Sequence, residues 1–275
     1  MNRFDMTGKW ALITGAGGLL GREHSFALAE VGCNIILTDL NTASLETLRK
    51  ELQELFKKQN FKVIKLDVTN ESEISSVLVE FIKVTRRLDV LINNAAIDPK
   101  VIKDDDKTLE QSRFENFSLE AWSFQLAVGL TGSMLCAKVF GSHMAENGGG
   151  VIVNISSDLS VFAPDQRIYE KKGLPPELQP VKPVTYSVIK HGIIGLTKYL
   201  ATYWAHKGVR VNALSPGGVY NSQPDEFVQK LSNLIPLGRM ANKDEYRGCI
   251  QFLSSDASSY MTGQNLIADG GRSVW

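Results

Sequence analysis

The segment WALITGAGGLLGREHSFALAEVG, residues 10–32, decides the fold, because it reads as strand, tight glycine turn and helix in unbroken succession. Gly15, Gly17, Gly18 and Gly21 would let backbone N–H groups and a helix N-terminus approach a pyrophosphate. A glycine turn alone says little, since structural glycines at strand ends are at least as common. The next strand, NIILTD (34–39), follows at the length of one βαβ unit, and that context strengthens the reading. Asp39 closes it, where a carboxylate can accept hydrogen bonds from both hydroxyls of an adenosine ribose. The alternative for Asp39 is a turn or helix-capping role. A carboxylate there repels a 2′-phosphate, and no arginine or lysine adjoins it, so NAD is expected rather than NADP.

Outward from this unit, short apolar runs alternate with amphipathic ones. FKVIKLD (61–67), DVLIN (89–93), VIVNIS (151–156), VRVNAL (209–214) and NLIAD (265–269) read as further buried strands. SLETLRKELQELFKKQ and ISSVLVEFIKVTRR space apolar residues by three and four, as helices do. Seven strands separated by helices predict one α/β domain over residues 1–275, a doubly wound parallel sheet. Two irregular segments follow strands: Ile97 to about Phe117, which contains DDDK, and about Leu159 to Val184. Both should overhang the carboxyl edge of the sheet, where open α/β sheets bind ligands. Asp67, closing the third strand, is a candidate acceptor for an adenine amino group, or else a helix cap before TNESE.

Composition narrows the function classes. Of 275 residues, 43% are apolar and 22% charged, ordinary for a soluble globular chain. Lysines plus arginines equal aspartates plus glutamates at 30 each, so there is no basic footprint for nucleic acid. Cys33, Cys136 and Cys249 form no C-x-x-C pair, which suggests a reducing compartment and no cysteine metal site. The start MNRFDMTGKW lacks a signal-peptide run, and no apolar run is expected to span a membrane. A cytoplasmic protein is the expectation. His24, His143, His191 and His206 are isolated, with no metal-binding spacing. Trp122, Leu126, Leu130 and Met134 make a stripe at helical spacing, expected to pack in the core.

Tyr186 and Lys190, in VTYSVIK, lie one helical turn apart and share a face. For the phenol to act as a base, its pKa must fall from about 10 towards 7, a cost of roughly 4 kcal/mol. An ammonium about 4 Å away supplies roughly 4 kcal/mol at an effective dielectric near 20, but only about 1 in bulk water. The pair therefore needs a partly dehydrated cleft. Taken alone, a Y-x-x-x-K spacing is common by chance.

Its company changes the reading. TGAGGLLG after the first strand, DVT after the third, NNAA after the fourth, NISS after the fifth, YSVIK, VRVNALSPGGV and YMTGQNLIADGG occur in order from about residue 7 to 272. Together they resemble the short-chain dehydrogenase/reductase family. The resemblance implies a Rossmann-type seven-stranded sheet, a nicotinamide cofactor and a Ser157–Tyr186–Lys190 site. Tyr186 would exchange the hydroxyl proton, Lys190 would hold the nicotinamide ribose, and Ser157 would hydrogen-bond the reacting oxygen. Leu20, Val68, Asn94 and Ala95 would join the glycine turn, Asp39 and Asp67 in cofactor binding. The main chain at Pro216, Gly217 and Val219 would meet the carboxamide. Family relatives are often homodimers or homotetramers, with a helix such as the Trp122–Met134 one at the interface.

This chain departs from the family pattern in three places. Leu19 stands where the glycine motif has another glycine. Gly129, in LAVGLTG, stands where the family has an asparagine that helps hold a proton-relay water. Third, Ser157 and Tyr186 are farther apart than usual, so an insertion at about 159–184 lies between them, with four of the nine prolines crowded between 175 and 183. Those prolines suggest a braced lid over the substrate. Its Arg167, Tyr169, Lys171 and Lys172 are candidates for gripping a phosphate or carboxylate. With four basic and three acidic residues in the span Leu159–Pro183, most of its charges read as solvated. Asn221 and Gln223 sit in what matches the family's substrate flap. SSDLSVFAPDQRIY, VKPVTYSVIKHG and the DGGRSVW ending resemble bacterial members of surface-glycan or flagellin-sugar biosynthesis, which implies a sugar phosphate or nucleotide sugar. An NAD(H)-dependent oxidoreductase on a secondary alcohol or ketone leads. An NAD-binding partner subunit without catalysis, and an NAD-retaining lyase or epimerase, are the alternatives.

Overall fold

The computed structural model describes residues 2–85, 87–98 and 112–275. Much of the irregular segment from Ile97, including DDDK, lies outside them. Seven strands form one sheet: β1 (Trp10–Thr14), β2 (Asn34–Asp39), β3 (Phe61–Lys65), β4 (Val90–Asn93), β5 (Gly150–Ile155), β6 (Val209–Pro216) and β7 (Asn265–Ala268). Their order is β3-β2-β1-β4-β5-β6-β7, every neighbouring pair parallel. Chain direction across the sheet reverses between β1 and β4, which opens a crevice beyond their carboxyl ends. The third strand stops two residues short of the expected Asp67. Asp67 Oδ1 accepts from the Thr69 amide at 2.9 Å and its hydroxyl at 2.7 Å, and that local turn ends the strand.

Helices α1 (Leu19–Glu30), α2 (Thr42–Leu55), α3 (Glu71–Ile82), α4 (Leu119–Glu146), α5 (Val184–Tyr203), α6 (Asp225–Ser232) and α7 (Arg247–Ser254) complete the main elements. Strand side chains alternate between two cores. Ile13, Ile35 and Leu37 pack with Leu45, Leu52 and Ile250 on the α1/α2/α7 face. Leu12 and Ile36 pack with Phe81, Phe140 and Met144 on the α3/α4/α5 face.

Helix α4 corrects two expectations. At 28 residues, with an 18-residue stretch of mean hydropathy 1.3, it is long and apolar enough to cross a membrane. Here it is a domain helix, with Cys136, Ala137, Phe140 and Met144 in the core. Two π-helical turns, Ala127–Thr131 and Ala137–Gly141, interrupt it and shift its register. The buried face accordingly runs through Gly129, Ser133, Cys136 and Phe140. Trp122, Leu126 and Leu130 are only half-buried and Met134 is exposed, so the predicted core stripe lies at the edge of the packing.

Candidate active site

The carboxyl ends of β1, β2, β4, β5 and β6 converge on a cleft of about 730 Å³. Its nucleotide end is built by the glycine turn. Gly15 takes the left-handed conformation (φ +64°), and a Cβ there would lie 2.8 Å from Ala95 Cα. A Cβ on Gly21 would lie 2.2 Å from the Gly15 carbonyl oxygen, so α1 starts this close to the turn only with glycine. Gly18 caps α1 with no side-chain hydrogen bond, which leaves first-turn N–H groups for an anion, as a dinucleotide's pyrophosphate requires. Leu19, at the position where a glycine was expected, opens α1 and lines the cleft.

Asp39 lines the cleft at the end of β2. Its Oδ2 accepts from the Gly17 amide at 3.2 Å and its Oδ1 from the Asn41 amide at 3.1 Å. The cap of α2 is Asn41 and that of α3 is Asn70, so neither Asp39 nor Asp67 caps a helix. Asn94 and Ala95 line the cleft, but the Asn94 amide is also a brace: Nδ2 donates to the carbonyls of Thr14 and Gly15, each at 3.0 Å. Leu20, Pro216, Gly217 and Val219 border the same cavity. Gly17, Gly21, Asp67 and Val68 are not among its lining. The two glycines shape the turn, Asp67 binds Thr69, and Val68 lies against Gly132 of α4.

At the chemical end, Ser157 follows β5 while Tyr186 and Lys190 project from the first turns of α5. The Ser157 hydroxyl donates to Asp158 Oδ1 at 2.8 Å and accepts from the Leu159 amide at 3.2 Å. Lys190 is 6% exposed and donates to the Ile155 carbonyl at 3.0 Å. Burial brings its ammonium down to about 8, with Asp98 opposing and Lys182 assisting. Burial, followed by the Asp98 charge, pushes the Tyr186 phenol above its ordinary value, and the Ser157 hydroxyl pulls it back.

Lys190 is not the lysine closest to that ring. Its Nζ is 5.6 Å from the ring centre, whereas Lys182 Nζ stands 3.9 Å from it. Lys182 pairs with Asp98 Oδ1 at 2.6 Å, and both line the cleft. A second pair, Arg272 with Asp158 at 3.0 Å, is almost wholly buried beside Ser157. Sequence reasoning singled out none of these four. Lys182 stood one turn ahead of Tyr186, the only signal available.

The segment between Ser157 and α5 is braced. Gln179 Nε2 donates to the carbonyls of Lys171 and Leu174, and Arg113 reaches the carbonyls of Pro176 and Gln179. Ile168 packs with Leu231, Ile235 and Met240, joining the segment to α6 and the chain after it. Of its expected anion-gripping residues, Tyr169 lines the cleft. Arg167, Lys171 and Lys172 do not, and Arg167 is held by Asp165 at 2.7 Å. Asn221 and Gln223 of the flap do line it. His191 is exposed, its Nδ1 3.0 Å from the Ser187 carbonyl.

Residues 9–169 match the family described as short chain dehydrogenase, and residues 178–273 match that described as enoyl-(acyl carrier protein) reductase. An NAD-dependent glycerol dehydrogenase of Listeria innocua is 30% identical over 98% of this chain and 96% of its own. A 2-dehydro-3-deoxy-D-gluconate 5-dehydrogenase of Bacillus subtilis is 33% identical over 98% and 96%. The crystal structure of a gluconate 5-dehydrogenase from Burkholderia cenocepacia, in complex with NADP and tartrate, superimposes with a TM-score of 0.84 at 27% identity, covering 99% of this chain and 98% of that one.

Proposed function

This chain belongs to the short-chain dehydrogenase/reductase family and is an oxidoreductase, and we propose that it uses NAD(H) to interconvert a secondary alcohol and a ketone on a polyhydroxylated, sugar-like substrate. The observation that carries the reading is the convergence of Ser157, Tyr186 and Lys190 on one cleft with the glycine turn and Asp39. A nicotinamide dinucleotide bound there supplies hydride exchange with the carbinol carbon.

The chain's own residues supply positioning and proton transfer. Tyr186 Oη removes the hydroxyl proton in oxidation and returns it in reduction. Lys190 faces the same cleft, and its positive charge favours the phenolate that oxidation requires. The Ser157 hydroxyl sits beside the phenol and orients the reacting oxygen. Asp39 favours NAD: its carboxylate suits ribose hydroxyls and disfavours a 2′-phosphate. Among the relatives, one is named NAD-dependent and another holds NADP, so the preference rests on this residue.

The polyol and sugar-acid names of the relatives support a polyhydroxylated substrate. A sugar phosphate or nucleotide sugar of surface-glycan synthesis falls in the same broad class. The half-exposed face of α4 supports a homodimer or homotetramer; a monomer by light scattering would remove that part. Turnover of reduced nicotinamide against a panel of ketoses tests the activity, and inertness towards all of them would sink it.

A further inference from the structure

The Lys182–Asp98 pair exchanges no proton in the reaction described above, yet both residues line the cleft and the Lys182 ammonium stands over the Tyr186 ring. Lys182 is the last residue before Pro183, the N-cap of α5. Its backbone is fixed from outside: its amide donates to Gln166 Oε1 at 2.8 Å. Its side chain is 11% exposed, whereas that of Asp98 is 67% exposed, so the carboxylate is the more open member of the pair. The ammonium lies 2.6 Å from Asp98 Oδ1 and 3.9 Å from the centre of the Tyr186 ring.

We propose that Lys182 and Asp98 form a specificity-determining subsite that reads a hydroxyl group next to the carbon oxidised at Tyr186. The proposal deepens the oxidoreductase reading and rests on it. An ammonium offers donors only and a carboxylate acceptors only, while a hydroxyl both donates and accepts. A neighbouring hydroxyl therefore satisfies both members of the pair at once. A carboxylate or phosphate satisfies Lys182 and is repelled by Asp98. A methyl group in the same place leaves both polar groups facing apolar surface, the arrangement by which sites built for a hydroxyl reject analogues lacking it. The pair thus selects a neutral vicinal diol over both a simple alcohol and an anion.

Three four-carbon probes separate these cases: butane-2,3-diol, butan-2-ol and 3-hydroxybutanoate. Each is titrated calorimetrically into NAD-saturated protein and assayed for turnover, using wild type, Lys182→Met and Asp98→Asn. Wild type should prefer the diol to butan-2-ol by about tenfold or more, the scale of a charge-assisted hydrogen bond. Lys182→Met should abolish that preference, read as the ratio of diol to butan-2-ol binding within each protein. Asp98→Asn should weaken diol binding and strengthen 3-hydroxybutanoate binding, because the Lys182 charge is then uncompensated. Equal binding of diol and mono-alcohol by wild type, no binding of any probe, or uniform losses across all three in the variants would overturn the subsite. Binding of the diol without turnover of any probe contradicts the oxidoreductase reading instead, and the calorimetric preference still decides the subsite.

Discussion

Gly129 and Ile189 fit against one another across the contact of α4 and α5: a Cβ on Gly129 would lie 2.8 Å from Ile189 Cγ2. Ile189 is 5% exposed and immediately precedes Lys190. The space where the family's asparagine side chain would begin is therefore filled by apolar packing. Gly129→Asn should lower stability by about 1–3 kcal/mol, the usual cost of overpacking, and should not raise activity. Trimming the neighbour in Gly129→Asn/Ile189→Ala should relieve part of that strain relative to Ile189→Ala alone. Urea midpoints of the four proteins check it. A single Gly129→Asn variant as stable as wild type would mean that α5 yields freely there.

Cofactor choice depends on the charge of Asp39. Asp39→Asn keeps an oxygen able to accept from the Gly17 amide and removes the repulsion of a 2′-phosphate. The ratio of kcat/KM for NAD over NADP should fall by about tenfold, or roughly 1.4 kcal/mol. An unchanged ratio would remove Asp39 from cofactor discrimination.

The Arg272–Asp158 pair is the most deeply buried ion pair among the described residues, with side chains 8% and 5% exposed. Asp158 also accepts from Ser157 and from the Leu159 amide. Burial pushes its carboxyl up, and Arg272 opposes that shift. Removing the arginine alone, as in Arg272→Met, should cost about 3–5 kcal/mol, because a buried carboxylate is left uncompensated. Arg272→Met/Asp158→Asn should recover much of the loss in thermal melts. Equal destabilisation of the single and double variants would assign the cost to Arg272's packing on Phe162 instead.

Acid should weaken the protein through His24, which is fully buried with neither ring nitrogen hydrogen-bonded. Burial holds its pKa down at about 3, against 6.5 for an ordinary histidine. Between those values the unfolded chain binds a proton that the folded chain does not, so stability falls as pH falls below about 6.5. The slope from this one group is at most about 1.4 kcal/mol per pH unit. Urea unfolding at pH 6.5 and 5 should show wild type losing about 2 kcal/mol more than His24→Leu. Parallel losses in the two proteins would exclude His24 as the cause.

The sheet was readable because each strand is a short apolar run bounded by turn residues, and parallel strands buried on both faces need no finer pattern. Ser157, Tyr186 and Lys190 were readable because their motifs are local. Helix α4 misled for a physical reason: its π turns shift the register, so i, i+4 spacing selected an edge rather than the buried face. The Lys182–Asp98 and Arg272–Asp158 pairs were not legible at all. Their partners are 84 and 114 residues apart, and only the closing of the sheet's carboxyl edge brings them together. The same blindness favoured Arg167, whose charge is satisfied two residues away by Asp165.

The central claim is that Tyr186 exchanges a substrate proton in an NAD-dependent oxidation. It is tested most directly by following NAD reduction with a series of polyols in wild type and Tyr186→Phe, with NAD binding measured in parallel by tryptophan fluorescence. The account predicts that wild type reduces NAD with at least one polyol. It also predicts that the variant binds NAD with near-normal affinity and loses about 10²–10⁴-fold in kcat, the range for a general acid–base group. Reduction of NAD by Tyr186→Phe at the wild-type rate would contradict it.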